Sequence, residues 1–347
     1  MKITLCTLFN INYLDKGLAL YQSLEEVASD FELYVLAMDD KCYRILSDLN
    51  YSHLKIISLK EFENDELKLA KSNRPFGEYC WTCSSSLIKY IFETYSPENC
   101  TYIDADMYFY DDPKVLIDEM YARNCTVLVV GHRFSWYNRN QAKIVGRHCV
   151  EFNTFANESR ALVLLNKWVS QCLEACYHGN DGIHHGDQMY IDRWCEDYDF
   201  VCETSNLGAG VAHWNIDQYR FCGILNKKVV LRTKGKHYNL LFYHFENLQY
   251  ITKDSININV YNSWGIDDKL VSILHKHYLK VVDTYKDLIK ERFNEVILVK
   301  SHPALTLSTD RSFIYQIKRL IKVRKIFCIS IPSRLFKHKN IIHLTKS

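Results

Sequence analysis

The sequence has few of the residues that interrupt regular structure, and it has no long apolar run. With five Pro and 12 Gly in 347 residues, collagen-like and linker-rich chains are excluded. No apolar stretch reaches the roughly 18 residues that a membrane-spanning helix needs. Residues 1–12 lack the length and the cleavage site of a signal peptide. From these two absences we expect a cytoplasmic protein, and since 48% of the residues are hydrophobic and 14% aromatic, we expect it to be folded.

Acidic residues are absent from the end of the chain. Residues 311–347 contain ten Lys or Arg and no Asp or Glu, so residues 1–310 hold 33 basic and 41 acidic residues, a net charge of −8. Apolar Phe313 and Leu320 are interleaved with basic residues such as Lys318, a pattern typical of a segment that lies on an anionic membrane surface. A solubilising or core-packing tail is the alternative. Nucleic acid is not expected as a partner, because the body is acidic and contains no recognition motif.

Apolar periodicity predicts strands that alternate with helices. The predicted strands cover residues 2–9, 31–38, 54–59, 101–103 and 126–130. The predicted helices cover residues 16–25, 84–95 (capped by its serines), 161–176 and 267–294. This alternation is typical of an α/β sheet with helices on both faces. A change of pattern near residue 265 predicts a main domain of residues 1–265 and a helical C-terminal extension of residues 266–347, which ends in the basic tail.

Two carboxylates follow the predicted strand at 101–103, where open α/β sheets bind their ligands. Asp104 and Asp106 are flanked on both sides by apolar residues. Placing two acids beside a core strand is costly unless a cation neutralises them. In an extended segment both side chains point the same way, so together they can bind a divalent ion that also binds pyrophosphate oxygens. A solvated turn is the alternative.

Three further segments carry polar groups on an apolar background. His244 follows apolar residues 240–242; a histidine so placed is more often a hydrogen-bonded core residue, but with the two aspartates it completes a set suited to Mn²⁺ or Mg²⁺. Asp187 and Gln188 open an amphipathic segment, where the acid either caps a helix or binds sugar hydroxyls with the amide. Residues 207–215 contain two glycines that allow close approach to a ligand, but they match neither the Rossmann nor the P-loop pattern.

Taken in order, these residues resemble the GT-A-fold nucleotide-sugar glycosyltransferases. They are most like the family 8-like group that includes glycogenin and the bacterial lipopolysaccharide galactosyl- and glucosyltransferases. The resemblance rests on Asn12-Tyr13 after the first strand, the D-x-D at 104–106, Gly-Asp-Gln at 186–188 and the late His244. It implies a mixed central sheet with helices on both faces. It also implies transfer of a hexose from a UDP-sugar to a bacterial surface glycan or a lipid-linked acceptor, with retention at the anomeric carbon.

The resemblance also implies roles for individual residues. Those implied to contact the uridine are Thr7, Phe9, Asn12, Tyr13, and Asp39 or Asp40. Those implied to hold Mn²⁺ (or Mg²⁺) on the diphosphate are Asp104, Asp106 and His244. Those implied to face the donor sugar are Asn153, Asp187 and Gln188. Retention by double displacement would need a carboxylate nucleophile, for which Asp187 is the candidate, whereas a front-face mechanism needs none.

The chain departs from the family pattern at two places, and two other functions stay open. An Arg that often precedes the D-x-D is replaced at best by Lys89, and Phe245-Glu246-Asn247 follows the late His in place of Gly and a Lys-Pro-Trp-like tail. A sugar-1-phosphate nucleotidyltransferase would need a Gly-rich basic loop after the first strand, but residues 10–17 have a single Gly and no Arg. The intact D-x-D and His argue against a pseudoenzyme that only binds a sugar nucleotide.

Overall fold

The computed structural model of the protein describes residues 2–136, 138–179, 185–246, 248–252, 255–258, 266–297 and 341–343. The chain forms two compact units, one of residues 1–246 and 261–297 and the other of residues 247–260 and 298–347. Apart from residues 341–343, the basic tail lies outside the described residues. Within the described ranges, no helix combines the length and the apolar character needed to cross a membrane.

Strands and helices largely alternate along residues 3–203, and strands predominate from there to residue 257. The strands are β1 (Ile3–Phe9), β2 (Phe31–Ala37), β3 (Leu54–Ser58), β4 (Asn99–Ile103), β5 (Met107–Phe109), β6 (Val127–Gly131), β7 (His148–Ala156), β8 (Val201–Glu203), β9 (Val211–Ala212), β10 (Arg220–Leu225), β11 (Lys228–Thr233), β12 (Lys236–Asn239), β13 (Phe242–His244), β14 (Gln249–Thr252), β15 (Ser255–Asn257) and β16 (Ile341–His343). The α-helices are α1 (Leu14–Val27), α2 (Asp40–Leu49), α3 (Leu59–Phe62), α4 (Asp65–Ser72), α5 (Phe76–Tyr95), α6 (Lys114–Ala122), α7 (Ala142–Val145), α8 (Ser159–Glu174), α9 (Trp194–Asp197) and α10 (Asp268–Phe293).

A seven-stranded mixed sheet forms the centre of the first unit, with strand order β3-β2-β1-β4-β7-β6-β8. The first four strands in this order are parallel, β7 is antiparallel to both β4 and β6, and β8 is parallel to β6. A smaller sheet, β5-β13-β9, and the antiparallel sheet β10-β11-β12 complete this unit. Because β7 runs against β4, its amino-terminal half lies beside the carboxyl end of β4, where ligands are expected.

The central sheet is covered on both faces, which explains why its strands are continuously apolar. Along β1, Ile3, Leu5 and Phe9 pack into the core shared with α1, α2, α6 and α10, whereas Cys6 and Leu8 face the core shared with α4, α5 and α8. The alternation follows the two-residue period of a strand. The predicted mixed α/β architecture with helices on both faces is therefore confirmed.

Helix α5 begins at Phe76, eight residues before the predicted start, so the prediction that the serines at 84–86 cap it is wrong. Pro75 precedes the first turn with a φ of −58°, a conformation that leads directly into a helix. The serines lie in the middle of the helix, and Ser84 Oγ lies 2.8 Å from the Trp81 carbonyl oxygen. This placement turns Ser84 toward the interior.

Helix α10 begins where the sequence predicted. Asp267 caps it by accepting hydrogen bonds from the backbone N–H of Lys269 and Leu270, and it also accepts from Phe221 N–H at 2.8 Å. α10 belongs to the first unit, and at its far end Arg292 pairs with Asp48 of α2 at 2.9 Å.

In the second unit, β14, β15 and β16 form an antiparallel three-stranded sheet. The last of these strands, Ile341–His343, lies within the C-terminal extension that the sequence predicted to be helical. At these three residues that prediction is wrong.

Candidate active site

The two aspartates of the D-x-D lie at the carboxyl end of β4, near the centre of the sheet. Asp104 N–H donates to the Glu151 carbonyl oxygen of β7 at 3.3 Å, which continues the pairing of the two strands. Met107 N–H donates to the Asp104 carbonyl oxygen at 3.3 Å, so residues 104–107 form a turn. The predicted extended conformation of this segment is wrong, because the chain turns here into β5.

His244 reaches both aspartates from a distant part of the sequence. β13 pairs antiparallel to β5 with His244 opposite Met107, and Phe245 N–H donates to the Asp106 carbonyl oxygen at 2.9 Å. This pairing places His244 Nε2 3.0 Å from Asp106 Oδ1 and 3.6 Å from Asp104 Oδ2. The structure therefore brings together the three residues expected to hold a divalent cation.

The opposite edge of the same imidazole faces β7. His244 Nδ1 lies 2.7 Å from Oε2 of Glu151, whose side chain is fully buried. Ligand atoms of Cys149, Glu151 and His244 all lie within 4.8 Å of one another. The indole of Trp214 packs edge-on against the imidazole, with ring centroids 5.6 Å apart.

Burial and mutual repulsion govern the ionisation of these groups. Burial raises the pKa of Asp104 to about 7, with further contributions from nearby carboxylates and an opposing one from His244. Burial would also raise the pKa of Asp106, but the facing His244 outweighs it and the pKa is lowered. For His244 burial favours the neutral ring, yet Asp106 and its hydrogen bonds raise the pKa well above its usual value. The site is thus rich in acids, with His244 as the cation in contact with them.

Lys16 is a site residue that sequence reasoning missed. Its Nζ lies 3.8 Å from the centroid of the Tyr13 ring. Burial would lower the pKa of Lys16, but Tyr13 and Asp106 outweigh it and the pKa is raised. The ammonium group is therefore charged and interacts electrostatically with Asp106. Its position in the first turn of α1, three residues after Tyr13, was the available signal.

The residues expected to contact uridine differ in exposure. Tyr13 is 41% exposed and Asn12 is exposed, whereas Thr7 and Phe9 are buried. Phe9 packs directly over Gly17, where an added Cβ would lie 2.4 Å from its ring.

Asp39, the other residue expected at the base or ribose, is engaged with the backbone. Its carboxylate caps α2 by accepting from Cys42 N–H at 2.8 Å, and it accepts from Ile11 N–H at 2.8 Å. Asp39 thus fixes the loop that presents Asn12 and Tyr13.

The residues expected to face the donor sugar are buried or half-buried. Asp187 accepts a hydrogen bond of 2.5 Å from Ser84 Oγ and makes no capping hydrogen bond, so its interpretation as a helix cap is wrong. Burial raises the pKa of Asp187 to about 7. Gln188 Nε2 donates to the Val145 carbonyl oxygen at 2.5 Å. Among the described residues, neither polar side-chain atom of the fully buried Asn153 has a hydrogen-bond partner.

The glycine-containing segment of residues 207–215 contacts the protein's own backbone next to the candidate site. Gly208 packs against β12, where an added Cβ would lie 1.9 Å from the Asn239 carbonyl oxygen. Trp214 Nε1 and Asn215 Nδ2 both donate to the His132 carbonyl oxygen, at 2.9 and 2.8 Å. The close approach permitted by Gly208 is therefore to the protein's own backbone.

No protein-family model matches the chain. The uncharacterized protein YfnD of Bacillus subtilis (strain 168) is 29% identical over 298 residues, which cover 83% of this chain and 91% of YfnD. The uncharacterized protein YfnF of the same organism is 27% identical over 297 residues, which cover 83% of this chain and 95% of YfnF.

Among solved structures, the galactosyltransferase LgtC in complex with donor and acceptor sugar analogs superposes with a TM-score of 0.51. The match has 12% identity and covers 81% of this chain and 96% of LgtC. An active-site mutant of LgtC matches with the same TM-score at 10% identity. The chain therefore has the GT-A fold of nucleotide-sugar glycosyltransferases, as the sequence predicted.

Proposed function

We propose that this protein is a metal-dependent, retaining glycosyltransferase that moves a hexose from a UDP-sugar to a bacterial surface glycan or a lipid-linked acceptor. The observation that carries the proposal is the meeting of Asp104, Asp106 and His244 at the carboxyl end of β4, in a GT-A fold. UDP recognition, retention and the acceptor class rest on the resemblance described above.

The chemistry of the donor set fits a divalent cation. Two carboxylates and an imidazole nitrogen are ligands that Mn²⁺ and Mg²⁺ accept. Burial raises the pKa of Asp104 to about 7, and the nearby carboxylates of Asp106, Asp187 and Glu151 contribute further, so a bound cation would favour the ionised form of Asp104. Asp104, Asp106 and Nε2 of His244 would hold the ion, which when bound supplies Lewis acidity toward the departing diphosphate.

Lys16 is suited to bind the donor diphosphate. The ammonium group is charged, lies over the Tyr13 ring and interacts electrostatically with Asp106. It would supply the positive charge that family members place in the Lys-containing segment after the late His. Lys89, which the sequence offered at best in place of the family's Arg before the D-x-D, is paired with Glu93 on α5. Tyr13 would stack on the uracil with its exposed surface.

Asp187 and Gln188 would hold the donor sugar. With a pKa near 7, the Asp187 carboxyl can accept or donate a hydrogen bond at neutral pH, which suits a sugar hydroxyl. The unsatisfied amide of Asn153 is costly to bury and would gain from a polar ligand group. Asp187 is also the nucleophile candidate for a double displacement, and a front-face mechanism would use it only to orient the sugar.

Release of UDP from a panel of UDP-hexoses, with and without Mn²⁺, tests the proposal. We expect D106N to lower turnover by about 100-fold or more, because it removes a charged ligand of the cation that would stabilise the leaving diphosphate. K16Q should weaken UDP binding about 10- to 100-fold, the value of a charge-assisted hydrogen bond, while K89Q is the control and should have no effect. UDP binding without turnover by any donor would instead support a pseudoenzyme.

The acceptor class predicts where the protein acts. A lipid-linked acceptor fits the basic amphipathic tail of residues 311–347, which we propose docks on anionic membrane. Cosedimentation of the full chain with phosphatidylglycerol-containing vesicles should exceed that with neutral vesicles. Replacement of Lys318, Arg319 and Lys322 by Gln should reduce it, and unchanged binding would refute tail docking.

A further inference from the structure

Glu151 is a carboxylate buried completely within the central sheet. In the described part of the chain, its ion pair is with His244, at 2.7 Å between Oε2 and Nδ1, and its Oε1 has no hydrogen-bond partner. A buried carboxylate is tolerated when it meets a group that donates a proton to it. The burial of the Glu151 carboxylate on β7 therefore depends on a proton that the His244 ring donates to it.

The geometry gives the two ring nitrogens of His244 different tasks. Nε2 faces Asp104 and Asp106, whereas Nδ1 faces Glu151 from the opposite edge of the ring. A histidine that ligates a metal through Nε2 must carry its remaining proton on Nδ1, and a carboxylate that accepts this proton fixes both tautomer and ring orientation.

We propose that Glu151 is a positioning residue, which holds the proton of His244 on Nδ1 and so presents Nε2 to a divalent cation shared with Asp104 and Asp106. This inference rests on the metal dependence in the proposed function. Glu151 touches neither donor nor ion in this role and acts through His244.

The strand register explains why residue 151 can take this role. Asp104 N–H bonds to the Glu151 carbonyl oxygen, so the two residues lie side by side at the end of the β4–β7 pair. The T-shaped contact with Trp214 supports the imidazole from a further side. Rotation of the ring would break the contacts of both nitrogens together.

Mn²⁺ titration of the full-length protein, followed by electron paramagnetic resonance, tests the proposal. The dissociation constant for Mn²⁺ should rise about 10- to 100-fold in E151Q, the range found when partners of ligating histidines are lost. E203Q is the matched control, because Glu203 also contacts a buried histidine, His148 at 3.3 Å, away from the aspartates. It should bind Mn²⁺ as the wild type does.

A second measurement uses the wild-type protein, so it does not depend on whether a variant folds. In ¹⁵N-histidine spectra of the wild-type protein with Mg²⁺, His244 should carry a slowly exchanging proton on Nδ1 and none on Nε2. A proton on Nε2, equal Mn²⁺ affinity in E151Q, or no Mn²⁺ binding to the wild type would overturn the proposal. A thiolate-to-metal charge-transfer band with Co²⁺ that is lost in C149S would also overturn it, because Cys149 on the Glu151 side of the ring would then be a ligand. If Mn²⁺ binding depends on Glu151 but the protein turns over no UDP-sugar, the proposed function is refuted and the role of Glu151 stands.

Discussion

Acid should destabilise the fold through His275, which the structure keeps neutral. This side chain on α10 is 1% exposed and packs edge-on against Tyr243 and Phe245, at 5.4 and 5.2 Å between ring centroids. Burial lowers its pKa from 6.5 to about 4, against a small opposing effect of the hydrogen bond with the Val271 carbonyl oxygen. The unfolded chain therefore binds a proton at a pH where the folded protein does not.

The sign and size of the effect follow from this difference. Because the pKa is lower in the folded state, the stabilisation is complete above pH 6.5 and is lost as the pH falls toward 4. At about 1.4 kcal/mol per pH unit, the free energy of unfolding should drop by about 2 kcal/mol by pH 5 and about 3 kcal/mol in all.

Urea unfolding monitored by tryptophan fluorescence between pH 4.5 and 7.5 measures this loss. H275F keeps an aromatic ring among Tyr243 and Phe245, so we expect less than about 1.5 kcal/mol change at pH 7.5. Its stability should depend on pH less steeply than that of the wild type, by about one proton. H237F, at an exposed position on β12, is the control and should retain the wild-type slope. Equal slopes for H275F and the wild type would refute the reasoning.

Three further predictions concern stability. Burial would lower the pKa of His148, but contacts with Cys195 and Glu203 outweigh it and raise the pKa to about 9. The resulting stabilisation is present below pH 6.5 and lost as the pH rises through about 9, so E203Q should be less stable than the wild type at pH 6 and approach it at pH 9.5 in urea unfolding. G208A should lose about 1–3 kcal/mol or more, because its methyl group meets the Asn239 carbonyl oxygen, as denaturant midpoints would show. G77A, with open space around the same atom in α5, should instead gain up to about 1 kcal/mol.

The sheet was predictable because its strands are buried on both faces. In a chain with helices between its strands, a continuous apolar segment such as Ile3–Phe9 is readily assigned as a strand that is buried on both faces. The start of α5 was not predictable from the serines at 84–86, because their inward orientation depends on contacts with a segment a hundred residues away. Ser84 caps no helix and instead donates to Asp187.

The candidate site was likewise predictable from the sequence only in part. Asp104, Asp106 and His244 were selected through their order in the chain and a family resemblance, and the structure brings them together. Glu151 gave no signal, because an acid within an apolar strand is equally compatible with a solvated edge. Only the antiparallel register of β7 against β4 places it beside His244. For Lys16 the sequence offered only its spacing of three residues from Tyr13, a weak signal because a lysine in an amphipathic helix is common.

The pairing of β13 with β5 has a consequence for protein synthesis. Asp106 and His244 are 138 positions apart, and the backbone contact between Asp106 and Phe245 closes that interval. On the ribosome the aspartates emerge long before the histidine, while β5 still lacks its partner strand β13. A chain released early, at any point before residue 244, can contain most of the central sheet and yet cannot assemble the three-residue centre. Because β13 follows β5 so late in the chain, incomplete translation products cannot form the proposed metal site and should be inactive.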